Sequence, residues 1–210
     1  MRSPIKNLKK KTNSLSKIKQ IIPKGSIIES HLFYDGSLEF NLSESDRFVI
    51  SSTSKYAVYE FWNCAIENSK RVADVAEYLF PNLNEQTFDL LQKDWARYRD
   101  PYVRSALFFL LNRCSSLGMI THGGFDTKNY NPFALADLRQ FAPKNFHLTS
   151  NPNKKLEEVV GSADDSKYIL VHAGKFSFNL FEHGATESME ETKFNHNKLL
   201  DELSTTNKSV

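Results

Sequence analysis

The chain is poor in cysteine, in glycine and in patterned histidine. Its two cysteines, Cys64 and Cys114, stand singly with no CxxC spacing. That excludes a disulfide-stapled scaffold and a thiolate zinc site. Both fall on helical apolar patterns, where a buried free thiol is the default, and this points to a reducing, cytoplasmic compartment. No apolar run reaches the about 18 residues of a membrane span, so no membrane partner is expected. The N-terminal charge precedes no apolar segment of the secretory-signal kind. No HExxH spacing occurs, and pairs such as His172 with His183 or His31 with His172 lack ligand spacing, so no metal is expected. A nucleophile elbow and a phosphate loop are also missing; Gly118 and Gly123-Gly124 read as turns.

The net charge of +2 names no partner by itself, but its distribution is uneven. Between Met1 and Lys24 stand Arg2, Lys6, Lys9, Lys10, Lys11, Lys17, Lys19 and Lys24, with no acidic residue among them. The stretch Glu182–Glu202 is acid-rich. A basic arm suits a phosphate backbone; a solvated terminus explains the same residues without a partner. Hydrophobic content of 40%, with 16 phenylalanines, supplies a core for one domain of 210 residues.

Along the chain, residues 1–13 read as the basic arm. Ser14 opens a short helix with Leu15, Ile18, Ile21 and Ile22 inward, stopped by Pro23 and Gly25. Ser26–Phe33 and Arg47–Ser51 read as buried strands. Ser54 caps a helix with Ala57, Val58, Phe61, Trp62, Ala65 and Ile66 on one face. A second helix carries Val72, Val75, Ala76 and Leu79; a third starts at Asn84 with Phe88, Leu91 and Trp95. Asp100-Pro101 is a cap followed by proline at the first helical position. Val103, Ala106, Leu107, Leu110, Leu111, Cys114 and Leu117 follow at helical spacing, with Gly118 as the stop. Phe108 and Phe109 make this helix apolar nearly all round, hence central. From Met119 to Pro143 periodicity is lost and turn residues dominate. Phe146–Leu148 reads as a short strand and Tyr168–Val171 as a buried parallel one. Ser188 with Glu191 is a capping box for a last helix through Leu199, Leu200 and Leu203. Strand and helix alternate at both ends around a helical middle, which predicts an α/β sheet with an insertion.

The segment 100–133 adds a likeness. An apolar helix, Ala106 to Leu111, ends in Asn112-Arg113; a turn at Gly118 follows, then Gly124-Phe125 and a polar stretch closing on Asn131-Pro132-Phe133. It resembles the helix-then-hairpin segment of Dam-type DNA adenine methyltransferases, and the likeness extends by hydrophobic pattern from about residue 5 to about residue 203. The resemblance implies a class I (Rossmann-like) methyltransferase-type sheet built from 14–80 and 146–210. The insertion at 81–145 corresponds to that family's DNA-recognition lobe. The resemblance points His122, Lys128, Asn129, Tyr130 and Asn131 toward DNA, where an ordinary polar loop is the other reading; Arg97, Arg99 and Arg113 flank them, with surface ion pairing as their alternative, and the charge of the arm adds Lys9, Lys10 and Lys11. The family continues for several strands beyond the point matched by Val210, so a truncated sheet, or one completed by a protein partner or a second copy, is expected. Phages and restriction–modification systems are the setting the family implies.

The same family places its chemistry at four stations, and this chain departs at each. A Gly-Gly-Lys segment that approaches the methionine end of S-adenosylmethionine is matched by Lys10-Lys11-Thr12-Asn13, without glycine. The glycine-rich cofactor loop after the first strand is matched by residues 29–37, where the remnant is Glu29, Phe33 and Gly36. The acid that accepts from the ribose hydroxyls is replaced by Ser52, neutral and shorter. The Asp-Pro-Pro-Tyr that takes the amino protons of a flipped adenine is replaced by His172, Ala173, Gly174 and Lys175, then Phe176. A histidine is no equivalent acceptor, because one ring nitrogen carries a proton. Lys175 would add a positive charge where positive charge accumulates; at ~4–6 Å and low dielectric this costs on the order of several kcal/mol. Phe176 retains a face for base stacking.

The expectation is a catalytically degenerate relative of the family, with no intact catalytic residue and no cofactor. It would bind DNA or serve as a non-catalytic subunit. An active but divergent enzyme using S-adenosylmethionine is the alternative, and an interaction or structural module that keeps only the fold is a third.

Overall fold

A computed structural model describes residues 2–6, 14–31, 33, 35–53, 55–150, 167–171, 197 and 201. Four strands form one all-parallel sheet in the order β3-β2-β1-β4: β1 is Ile27–His31, β2 Phe48–Thr53, β3 Phe146–Ser150 and β4 Lys167–Val171. Ile28 stands beside Val49 and Tyr168, and Val49 beside Phe146, so these residues share one face. That face carries the helices. Helix α1 (Ser14–Ile21) precedes β1, and α2 (Ser37–Ser43) links β1 to β2. Four helices link β2 to β3: α3 (Tyr56–Leu79), α4 (Glu85–Asp94), α5 (Pro101–Cys114) and α6 (Pro132–Arg139).

Two apolar cores form on this face. The smaller joins Ile22 and Leu42 to Ile28 and Val49, flanked by Leu15, Ile18, Tyr168 and Leu170. The larger joins Phe33 and Phe40 to Phe61, Trp62, Phe88, Trp95, Phe108, Leu138 and Phe141. The helices of 81–145 thus share a core with α3 and the loop after β1. Neither core contains Ile27, Phe48 or Ile50 of the opposite face, and Phe48 is exposed.

Several elements follow their sequence signals. Asp100 accepts from the amides of Tyr102 and Val103, and Asn84 from that of Thr87, as side-chain caps. Every residue of α5 from Ser105 to Cys114 is buried, as an all-round apolar helix requires. Cys64 and Cys114 are free and buried.

The two helices expected after β2 together make up α3 (Tyr56–Leu79) and meet at Asn68, whose backbone is non-helical (φ −154°, ψ 75°). The Asn68 Oδ1 accepts from the Arg71 amide at 3.0 Å, so the break is an internal cap that restarts the helix. Other expectations are corrected. The helix begins behind Lys55, which caps without a side-chain bond. Helix α2 fills a stretch to which the sequence pattern assigns no element: Leu38, Phe40 and Leu42 alternate, because Phe40 enters the larger core and Leu42 the smaller. Helix α6 lies in the stretch expected to be turns. Its start repeats the device of α5, an Asn131 cap followed by Pro132. Ile21, Ile66 and Leu117, expected inward, are exposed. The last expected helix, from Ser188, lies outside the described residues apart from 197 and 201.

Gly36 opens α2 in the left-handed region (φ 64°), and a Cβ there would lie 2.2 Å from the Phe40 ring. Gly25 is also left-handed (φ 79°) but has open space around it. Gly25→Ala should therefore cost only the backbone term, about 1–2 kcal/mol. Gly36→Ala should cost at least about 3 kcal/mol, because ring displacement adds to it. Urea unfolding of the two variants measures the difference.

Candidate functional site

In an open parallel sheet the favoured ligand position lies outside the carboxyl ends of the strands, where the strand order reverses. Here that point is the crevice between β1 and β4. On its β1 side, His31 and Ser52 are register neighbours, with Nδ1 and Oγ 2.9 Å apart. Ser52, the position of the expected ribose contact, is thus already engaged by a side chain. Glu29 lies mid-strand on the face opposite Ile28. Phe33 is fully buried, 5.7 Å edge-on to Phe40, and both rings lie against Trp62. Gly36 therefore serves ring packing: its missing Cβ makes room for Phe40 and Phe33. Asp35 accepts from the amide and hydroxyl of Ser37. Beneath the loop, the buried Glu39 accepts from Ser30 Oγ at 2.7 Å. Sequence reasoning missed this pair; two polar residues at inward positions of β1 and α2 were its only signal. The stations at Lys10–Asn13 and at His172, Ala173, Gly174, Lys175 and Phe176 lie outside the described residues. Among the described residues no three His, Cys, Asp or Glu side chains converge as metal ligands. Nor is any described helix long and apolar enough to cross a membrane.

The second region lies at the end of α5. Asn112 is fully buried and its amide must be satisfied. Its Oδ1 accepts from the Lys6 amide at 2.6 Å, and its Nδ2 donates to the carbonyls of Lys6 (3.1 Å) and Gly118 (2.7 Å). Arg113 follows. Its Nε donates to the Pro4 carbonyl at 2.8 Å, its Nη1 to the Asn129 carbonyl at 3.3 Å, and the cation lies 5.8 Å from the Phe109 ring centre. Burial pulls the Arg113 guanidinium down to about 10, still charged at neutral pH. Pro4 and Ile5 are buried by this clamp. Residues 4–6 of the expected basic arm are thus a docked segment. A cavity of about 310 Å³ lies beside them, lined by Arg2, Lys6, Asp35, Arg113, Asn131 and Asp137 among others.

The residues expected to face DNA separate accordingly. Arg113 holds backbone. Tyr130 stacks on Phe80 at 3.9 Å, and burial pushes its hydroxyl up to about 12. The Asn131 side chain accepts from the Ala134 amide as the cap of α6, and the Asn129 carbonyl takes Arg113. His122 and Lys128 are exposed beyond the end of α5, with Lys128 3.5 Å from Asp126. Arg97 and Arg99 are exposed ahead of its start, and Arg97 lies 2.9 Å from Asp94. At 1.5 Å per residue, the 14 residues of α5 hold the two groups about 20 Å apart, beyond a Debye length. Lys9, Lys10 and Lys11 lie outside the described residues.

No protein-family model matches the chain, and no curated protein sequence matches it. What is established is an α/β protein whose four-stranded, all-parallel sheet is compatible with a Rossmann-like fold.

Removing the clamp should free the N-terminal segment. Arg113→Ala should lower stability by about 3 kcal/mol, since two carbonyls and a buried ring lose their partner. Arg113→Lys should recover little of it, because one ammonium does not span the Pro4 and Asn129 carbonyls as a planar fork does. Limited trypsinolysis checks the geometry: cleavage after Lys6 should become rapid in both variants and stay slow in the wild type.

Proposed function

We propose that this protein is a catalytically inactive relative of the Dam-type DNA adenine methyltransferases that binds duplex DNA. The single observation that carries the reading is the clamp. Asn112 and Arg113 tie residues 4–6 to the Gly118 and Asn129 carbonyls, and Asn129 follows Lys128 directly. The clamp thus joins the segment that precedes the basic run to residues more than 100 positions away. Phosphates would meet Lys6, Lys9, Lys10, Lys11 and Lys128, with Arg2 beside them. The finer fold reading is a class I methyltransferase-type sheet.

Loss of methyl transfer is read from the cofactor edge. Phe33 and Phe40 fill the space beneath the loop after β1, and Ser52 replaces the ribose acid and already bonds His31. The sequence at 172–176 supplies a histidine and a lysine where a carboxylate would accept the amino protons of adenine. As a non-catalytic subunit the protein would lend its DNA surface to an active partner.

Two titrations test this. Binding of a duplex followed by fluorescence anisotropy should weaken linearly in log Kd against log salt. The triple variant Lys9→Ala, Lys10→Ala, Lys11→Ala should flatten that slope by about 2–3, at about 0.9 per phosphate contact. Salt-independent or absent binding would favour a module that keeps the fold alone. Calorimetry with S-adenosylmethionine, with and without duplex, should give no heat of binding; micromolar affinity would select the active, divergent enzyme.

A further inference from the structure

Around Arg104, about 14 Å along α5 from Arg113, lies a second surface that the duplex reading does not use. Arg104 is the hub. Its Nε donates to Glu60 Oε1 at 2.7 Å, its Nη2 to Glu60 Oε2, and its Nη1 to the carbonyls of Tyr98 and Arg99. Glu60 Oε2 also accepts from the Tyr56 hydroxyl at 3.1 Å. One ion pair, with a buried carboxylate and a half-buried guanidinium, thus fixes the start of α3 against the segment that leads into α5. Above it the side chains are aromatic and cationic. Tyr56 is 65% exposed and Tyr98 46% exposed. Tyr59 is half-buried, its ring centre 6.4 Å from that of Tyr56. Arg99 and Arg97 are exposed beside Tyr98. Glu60, Asp94 and Asp100 are neutralised by Arg104, Arg97 and Arg71, and Arg99 is left as the excess positive charge beside the rings.

We propose that this surface binds unpaired nucleotides, with bases stacked on Tyr56 and Tyr98 and the backbone held by Arg97 and Arg99. Large exposed rings interleaved with arginine suit such a ligand, because every base has a π-face and every linkage a charge. A duplex hides its base faces and cannot use the rings. The Glu60–Arg104 pair holds the ring bearing Tyr56 and the backbone of Tyr98 in place before binding, which reduces the ordering cost. The surface lies at the same edge of the sheet as the carboxyl end of β2, since α3 follows that strand directly. The inference goes beyond the duplex reading and fails separately from it.

The test is anisotropy of the full chain with a labelled 12-nucleotide single strand and with a hairpin duplex of the same sequence. Tyr56→Ala and Tyr98→Ala should each weaken single-strand binding about 10-fold and leave duplex binding unchanged. Tyr98→Phe should bind as the wild type, since it keeps the ring, and Tyr56→Phe should lose only about 2–3-fold, since it keeps the ring but gives up the bond to Glu60. Both positions are exposed, and thermal unfolding confirms that the alanine variants remain folded. The lysine-to-alanine arm variant should weaken the duplex while the tyrosine dependence on the single strand persists. Absence of single-strand binding by the wild type, or alanine variants that bind as tightly, overturns the proposal.

Discussion

The structure depends on how one buried helix ends. From Ser105 to Cys114, α5 is enclosed by α3, α4 and the segments that follow it, and its last turn carries Asn112 and Arg113 into that interior. A buried amide and a buried guanidinium without partners would each cost several kcal/mol. The groups that satisfy them come from the other end of the chain, residues 4–6, and from the loop at Gly118 and Asn129. Burial of two polar side chains thus dictates where the N-terminus docks, which in turn decides where the basic residues begin.

A second constraint acts at the sheet. Phe33 and Phe40 meet Trp62, Phe141 and Phe146 in a continuous run of ring contacts that joins the loop after β1 to α3 and to β3. Ring packing at native density leaves no room for a Cβ on Gly36. A glycine that resembles a cofactor-loop remnant in sequence has a different physical role, since the ring faces occupy the space it opens. The same holds for Ser52, whose hydroxyl faces a neighbour on the next strand.

Elements with strong local signals were legible. Asp100-Pro101 and Asn84 gave helix starts because side-chain capping is a local interaction. The runs of β1, β2 and β4 gave strands because a parallel sheet needs apolar, β-branched residues. Helix α2 was not legible, because its apolar residues serve two cores and so alternate as a strand would. The division of α3 at Asn68 was legible, because the apolar pattern stops at Ile66 and restarts at Val72. Among the site residues, Lys128 and His122 were legible as exposed polar groups. Arg113, Tyr130 and Asn131 were not legible as structural, since an arginine, a tyrosine and an asparagine in a polar loop read the same whether they face solvent or a buried carbonyl.

By itself the sequence determined an α/β class, the caps at Asn84 and Asp100, the central apolar helix and the lack of disulfide, zinc and membrane signatures in its own pattern. These follow from composition and short-range periodicity, which act within a few residues. Only the tertiary structure decided that Asn112 and Arg113 clamp a segment more than 100 residues away, and that the expected DNA-facing residues divide between the two ends of α5. Those outcomes depend on which polar groups are left without water once the core closes. That is a property of the packed chain, not of any window along it.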